Sequence, residues 1–247
     1  MKIFVFDSVG QTVTTATGIP MLFDAPPTTT NQIYPLPTTN HGVQRVPTDT
    51  LAKLATRGVE KLSVQRTTDT AALTALAALR HRETMHFDPL TGQPLSFDSY
   101  GAATVHHDQS VTEIFPRIDP AVIGLITLAG TDQILLGKNA HHQYYSLIAG
   151  YVDIGETFEA AMKREAREEA GRNIYNLRYQ RSQPWPYSGS IMVGFTATTD
   201  DPDPIMPTDG ELTETRWVTR TQLRTSSLPL PGAGSLATVL INEWLHQ

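Results

Sequence analysis

Three glutamates, Glu165, Glu168 and Glu169, have the type and spacing that point to chemistry in this chain. They stand in the segment Gly150-Tyr-Val-Asp-Ile-Gly-Glu156-Thr-Phe-Glu-Ala-Ala-Met-Lys-Arg164-Glu165-Ala-Arg-Glu168-Glu169-Ala-Gly171. The spacing predicts a helix over 158–170. With Phe158 at zero and about 100° per residue, Ala161 falls at about −60° and Met162 at about +40°, an apolar stripe that faces a core. On the same wheel Glu165 lies at about −20°, Glu168 at about −80° and Glu169 at about +20°. The three carboxylates therefore continue the buried stripe of their own helix. Like charges at this spacing repel, and removing them from water is costly unless a counter-charge is present. A solvated Glu/Arg face is the ordinary alternative. It fits poorly, because Lys163, Arg164 and Arg167 already supply the water-facing side. Hard divalent cations resolve the conflict, and Mg²⁺ or Mn²⁺ suits oxygen ligands. Such ions are the usual partners of phosphate-bearing substrates.

The flanking residues read as support for that site. Gly150 and Gly155 let the loop before the helix approach a ligand closely or adopt positive φ. Gly171 suits the end of the helix. Glu156 and Arg164 can pair across the junction of loop and helix.

Composition removes whole classes of function. The chain has 247 residues and no Cys, which excludes disulfides, cysteine-based zinc or iron–sulfur sites and a cysteine nucleophile. A formal net charge of −6 argues against a protein built to hold DNA or other phosphate backbones. No apolar run reaches the roughly 18 residues of a membrane span, and the start, Met1–Asp7, reads as a strand rather than a secretion signal. The expected compartment is the cytoplasm, with no membrane partner.

With these residues in view, the segment resembles the Nudix box, G-x5-E-x7-R-E-U-x-E-E-x-G-U, where U is a bulky aliphatic residue. Gly150, Glu156, Arg164, Glu165, Glu168, Glu169 and Gly171 match. Ala166 and Arg172 depart from the aliphatic positions, and Ile174 is expected to take over the apolar contact of the second. A later stretch, Ser182-Gln183-Pro184-Trp185-Pro186-Tyr187-Ser188-Gly189-Ser190, resembles the SQPWPFPxS signature of the NADH pyrophosphatase subfamily, with Tyr187 for Phe and Ser188 for the last Pro. Without the upstream box, Trp185 would read as a core or interface residue in a Pro-rich loop. Phe115-Pro-Arg117-Ile-Asp119-Pro-Ala121-Val-Ile resembles the FPRxDPAVI entry to the domain in the same subfamily.

The resemblance implies hydrolysis of the pyrophosphate of a dinucleotide, NADH or NAD⁺, to a nicotinamide mononucleotide and AMP, with NAD-capped RNA as a further substrate. It implies two or three Mg²⁺ or Mn²⁺ ions held by Glu165, Glu168, Glu169 and Glu211, and Glu169 nearest the attacking water. It implies that Tyr145, Gln183, Trp185, Tyr187 and the backbone near Ala237 contact the substrate, and that the protein is a homodimer. Relatives carry a four-cysteine zinc ribbon ahead of the FPR stretch. Asp88, Thr91, His107 and Ser110 stand at those positions here, so no structural zinc is expected. His106, His107, His141 and His142 read as surface histidines. The competing readings are a pyrophosphatase of ADP-ribose or another nucleoside-diphosphate compound, and a non-catalytic nucleotide sensor on the same fold.

These residues need a scaffold, and the pattern supplies one of α+β class. Residues 1–85 are expected to form a small, loop-rich β domain ending in a helix from Thr68-Asp69 to about Arg80. Residues 86–116 read as a connector like a cysteine-free zinc ribbon. Residues 117–247 are the expected Nudix α/β/α sandwich. In it, strands are predicted at 121–128, 133–136, 145–149, 191–196 and 213–218, and a last helix at 236–245.

Overall fold

The computed structural model describes residues 1–36, 39–55, 60–63, 69–98, 101–107 and 110–247. They fall into two compact units: Met1–Ile118 with Trp185–Gly189, and Asp119–Pro184 with Ser190–Gln247. The architecture is α+β.

In the first unit, β1 (Lys2–Phe6) pairs parallel with β4 (His41–Arg45), and β3 (Ile33–Pro35) lies antiparallel on its other side. A second pair joins β2 (Gln11–Thr14) to β5 (Glu60–Ser63). Alternation in β1 explains its two-sided burial: Phe4 and Phe6 enter one apolar cluster and Ile3 and Val5 another. The first cluster is closed by Ala72, Ala75, Leu76 and Leu79 of helix α2 (Thr70–Thr84). Asp69 caps α2, accepting from the amides of Ala71 and Ala72. Thr68 lies outside the described residues. A short helix, α1 (Thr48–Ala55), was not legible in the Thr-rich sequence, since it buries only Leu51. Strands β6 (Ser96–Phe97), β7 (Ala103–His107) and β8 (Ser110–Ile114) form a separate antiparallel sheet. Beside it, Thr91 donates its hydroxyl to Asp88 at 2.6 Å, and the Ser110 hydroxyl donates to the His107 carbonyl at 3.0 Å.

The second unit is built on a six-stranded sheet ordered β12-β13-β9-β10-β14, with β11 also pairing with β9. The strands are β9 (Asp119–Leu128), β10 (Gln133–Asn139), β11 (Ile148–Tyr151), β12 (Tyr175–Trp185), β13 (Ser190–Thr199) and β14 (Leu212–Thr219). Helices α3 (Phe158–Glu168), α4 (Arg220–Thr225) and α5 (Leu236–Leu245) complete it. Two separate apolar clusters reveal the layering. Val122 and Ile126 of β9 pack with Ala161, Met162 and Ala166 of α3, whereas Ile123 and Leu125 pack with Leu236, Leu240, Ile241 and Trp244 of α5. Period-two alternation in one strand thus seats a helix on each face. Gly124 makes room for α3, because a Cβ there would meet Met162 Sδ at 2.7 Å.

The differences from the sequence reading are local. The predicted strand at 145–149 is displaced to Ile148–Tyr151, since the Tyr145 amide bonds to the Pro229 carbonyl instead of to a ladder. Strand β12 is an additional edge strand with little buried surface, so its apolar pattern in the sequence is weak. Trp185 ends this strand.

Candidate functional site

Helix α3 starts at Thr157, whose hydroxyl accepts from the Ala160 amide at 3.1 Å. Its buried face is centred slightly off the predicted stripe. Ala161, Met162 and Ala166 are fully buried, Glu165 and Glu169 are 7% and 4% exposed, and Phe158 is 41% exposed. Phe158 stands in the first turn, at the rim of that face. The Glu168 side chain is about half exposed, at the edge of the face where its angle of about −80° puts it. Two of the three glutamates are therefore buried, and the third is at the margin.

Glu165 is buried because the backbone opposite has no side chain. A Cβ on Gly150 would meet the Glu165 carboxyl carbon and Oε1 at 2.1 Å. Arg164 organises the rest. Its Nε donates to Glu156 Oε1 at 2.8 Å, its Nη2 to Glu156 Oε2 at 2.9 Å and to the Tyr151 carbonyl at 2.8 Å. Its Nη1 reaches both Glu165 Oε1 and Glu168 Oε2 at 2.8 Å. One guanidinium thus locks the loop through Glu156 and spans two of the carboxylates, the fork geometry that Lys lacks. These bonds hold the Glu156 carboxyl below its ordinary value and Arg164 well above its own.

Glu169 has no such partner among the described residues. Burial, with Glu165, Glu211 and Asp209 as negative neighbours, pushes its carboxyl up to about 8, against a hydrogen bond from the Ala149 amide. Burial likewise raises Glu165, opposed by Arg164. Glu211 comes from outside the helix. The connection between β13 and β14 is laced along the end of α3: the Ile205 amide donates to the Gly171 carbonyl and the Asp209 amide to the Glu168 carbonyl, both at 2.8 Å. Gly171 turns the chain at φ 66°, and a Cβ there would meet the Met206 carbonyl at 2.7 Å. Arg172 serves the same lacing. It is 3% exposed, with Nη1 on the Ala170 carbonyl at 2.7 Å, Nε on the Asp201 carbonyl at 3.1 Å and Nη2 on the Pro202 carbonyl at 2.9 Å. Ile174, 7% exposed, joins the apolar cluster beneath α3.

This donor set fits a hard divalent cation. It is all oxygen, its carboxyl groups outnumber the one cation, Arg164, that reaches them, and buried Glu169 has no cationic partner among the described residues. Among the described residues, no three such side chains already stand at coordinating spacing, and Glu165 and Glu168 both face Arg164.

The residues that resemblance assigned to substrate stand outside α3 and the loop before it. Tyr145 is 8% exposed, lies in the α5-side cluster and donates its hydroxyl to Glu214 Oε2 at 2.7 Å. Gln183 uses both ends of its amide: Nε2 donates to the Gly234 carbonyl at 2.7 Å and Oε1 accepts the Leu236 amide at 2.8 Å. It thereby ties β12 to the start of α5, where Ala237 is buried. Trp185 and Tyr187 belong to the first unit, with ring centroids 5.3 Å apart. Tyr187 packs against the α2 cluster there. The site residues that sequence reading missed are Asp209 and Asn139. Both contact Glu211: Asp209 Oδ1 accepts the Glu211 amide at 2.9 Å, and Asn139 Nδ2 donates to Glu211 Oε1 at 3.0 Å. Asp209-Gly-Glu211 carries a turn signal, but nothing in the sequence links Asn139 to it. A cavity of about 360 Å³, lined by Thr127, Arg178, Gln180, Thr198, Glu243 and Trp244 among others, includes none of the predicted site residues.

The NUDIX domain model matches residues 118–240. The chain is 39% identical over 184 residues to a protein named NAD-capped RNA hydrolase NudC from Mycobacterium bovis (strain BCG / Pasteur 1173P2), covering 69% of this chain and 58% of that one. It is also 39% identical over 132 residues to the protein of the same name from Escherichia coli O9:H4 (strain HS), covering 52% and 48%. The chain spans about half the length of the curated relatives it matches. A crystal structure of a NUDIX hydrolase from Nitrosomonas europaea matches with a TM-score of 0.51 at 18% identity, covering 66% of this chain and 91% of that one, and so shares the fold. With the box residues placed on one helix end and its preceding loop, the chain belongs to the Nudix family, through a domain at residues 118–240.

Proposed function

We propose that this chain is a metal-dependent hydrolase that cleaves the pyrophosphate of NADH or NAD⁺, and of NAD-capped RNA, to leave AMP or a 5′-adenylate end and a nicotinamide mononucleotide. The observation that carries the reading is the buried, uncompensated Glu169 beside Glu165 and Glu211, in a chain 39% identical to proteins named NAD-capped RNA hydrolase NudC. Glu165, Glu168, Glu169 and Glu211 would hold two or three Mg²⁺ or Mn²⁺ ions. Such ions neutralise developing charge on the phosphoryl oxygens and make the attacking water more acidic.

The chain's own residues do the rest. Glu169 takes the proton of the water whose oxygen adds to phosphorus, the bridging P–O bond breaks, and the leaving phosphate departs with that oxygen. Burial and the neighbouring Glu165 and Glu211 make the Glu169 carboxyl the most basic of the set in the metal-free chain. Arg164 keeps Glu165 and Glu168 oriented. Gln183 fixes the start of α5 by donating to the Gly234 carbonyl and accepting the Leu236 amide, and Trp185 offers an indole face to one ring of the dinucleotide. Tyr151 at the end of β11, Ile154 in the loop after it and Phe158 in the first turn of α3 are exposed apolar residues, which supports a homodimer that covers them.

The test is a product assay with Mg²⁺ or Mn²⁺ against NADH, NAD⁺, ADP-ribose and NAD-capped RNA. Cleavage of NAD(H) or NAD-capped RNA faster than ADP-ribose is expected. Faster ADP-ribose cleavage overturns the substrate assignment, and absence of hydrolysis of all four favours a nucleotide sensor.

A further inference from the structure

We propose that Asn139 is the positioning residue of Glu211, the carboxylate supplied to the site from outside helix α3. The proposal deepens the metal reading above and rests on it. Strand β10 carries an irregularity at its end: Lys138 pairs with Glu214, whereas Asn139 pairs with Leu212, so the register shifts between them. The Thr213 hydroxyl donates to the Lys138 carbonyl at 3.0 Å and holds that bulge. Bulges re-aim side chains, and this one brings the Asn139 amide to Glu211, with Nδ2 on Oε1 at 3.0 Å.

A second bond settles the amide's orientation. Asn139 Oδ1 accepts the His141 amide at 2.8 Å. Flipping the side chain would set its oxygen against the Glu211 carboxylate and its NH₂ against an N–H, losing both bonds. The donor therefore faces Glu211 by necessity of the turn at 139–141. Glu211 is also held from the backbone side, through its amide to Asp209 and the Asp209 amide to the Glu168 carbonyl. Together these bonds fix one carboxylate oxygen and leave the other available.

The neutrality of the donor matters. Lys or Arg at 139 would cancel the charge of Glu211 and compete with an incoming cation. An amide orients the ligand and leaves its full charge in place, as outer hydrogen-bond partners of metal ligands do. Asn139 acts through Glu211.

The experiment is Mn²⁺ titration of the full chain without substrate, read as free Mn²⁺ by electron paramagnetic resonance, with melting in EDTA alongside. Wild type, Asn139→Ala, Asn139→Ser, Glu211→Gln and the double variant Asn139→Ala/Glu211→Gln are compared. Asn139→Ala is expected to weaken Mn²⁺ binding by roughly tenfold or more, with the metal-free melting temperature little changed. Asn139→Ser keeps a short oxygen acceptor for the His141 amide but cannot reach Glu211, so it should weaken binding equally and carries the test if the alanine variant does not fold. In the Glu211→Gln background, Asn139→Ala should add no further loss. Unchanged binding in both single variants, or an equal loss with and without Glu211, overturns the proposal alone. Absence of Mn²⁺ binding by the wild type overturns the metal reading and the proposal together.

Discussion

At the scale of single residues, the site is defined by how much negative charge the fold buries. Glu169 is the extreme case, with a carboxyl moved from an ordinary 4.5 to about 8 by burial and by Glu165 and Glu211. The folded, metal-free chain then binds a proton that the unfolded chain has released in this window. Stability from this group is therefore highest below about pH 4.5 and falls as pH rises to about 8. Melting in EDTA between pH 5 and 8 should show that decline in wild type, and Glu169→Gln should flatten it. The same variant should lower turnover by roughly 100-fold or more, as loss of a proton acceptor does. Gly150 yields a second expectation. A methyl group there collides with the Glu165 carboxylate, so Gly150→Ala should lose metal affinity and activity together, measured by Mn²⁺ titration and product assay.

At the scale of elements, the end of α3 and the connection from β13 to β14 behave as one piece. Arg172 is central to it, because its guanidinium donates to three backbone carbonyls, the third of which, at Pro202, also accepts from Trp217 Nε1. The family pattern places an aliphatic residue here, which would suggest that Arg172→Leu is harmless. The structure predicts the opposite. Leaving the buried Ala170 carbonyl without this donor, and removing the bonds to Asp201 and Pro202, should destabilise the chain by about 1–3 kcal/mol, read from denaturant unfolding. Gln183 plays the parallel role at α5. Gln183→Ala removes two hydrogen bonds between β12 and the helix start, and a loss of about 1–3 kcal/mol is expected from the same measurement. Ala161 and Met162 were legible in the sequence because period and burial coincide there, and β9 was legible as an apolar run at 121–128. Strand β12 was not, since an edge strand exposed on both faces leaves no alternation to read.

At the scale of the whole molecule, the absence of Cys takes on a specific meaning. The positions that resemble ribbon cysteines hold Asp88 and Thr91, bonded to each other at 2.6 Å, and His107 and Ser110, bonded through hydroxyl and carbonyl at 3.0 Å. Hydrogen-bonded turns stand there instead of thiolates. Chelation is accordingly expected to abolish hydrolysis while leaving the far-ultraviolet circular dichroism spectrum unchanged. A chain dependent on structural zinc would lose its spectrum as well. No helix among the described residues is long and apolar enough to cross a membrane.

Sequence alone determined the family, the helix that carries the box, and the buried setting of Glu165 and Glu169. These follow from fixed spacing within one short segment, where the helical period converts position into direction. Tertiary structure decided what surrounds them. It set Glu168 at the margin, laced the 200–211 connection onto α3, buried Tyr145, and turned Asn139 and Asp209 toward Glu211. Those arrangements join residues far apart in the chain through backbone carbonyls and amides, which every residue carries alike and no sequence pattern marks.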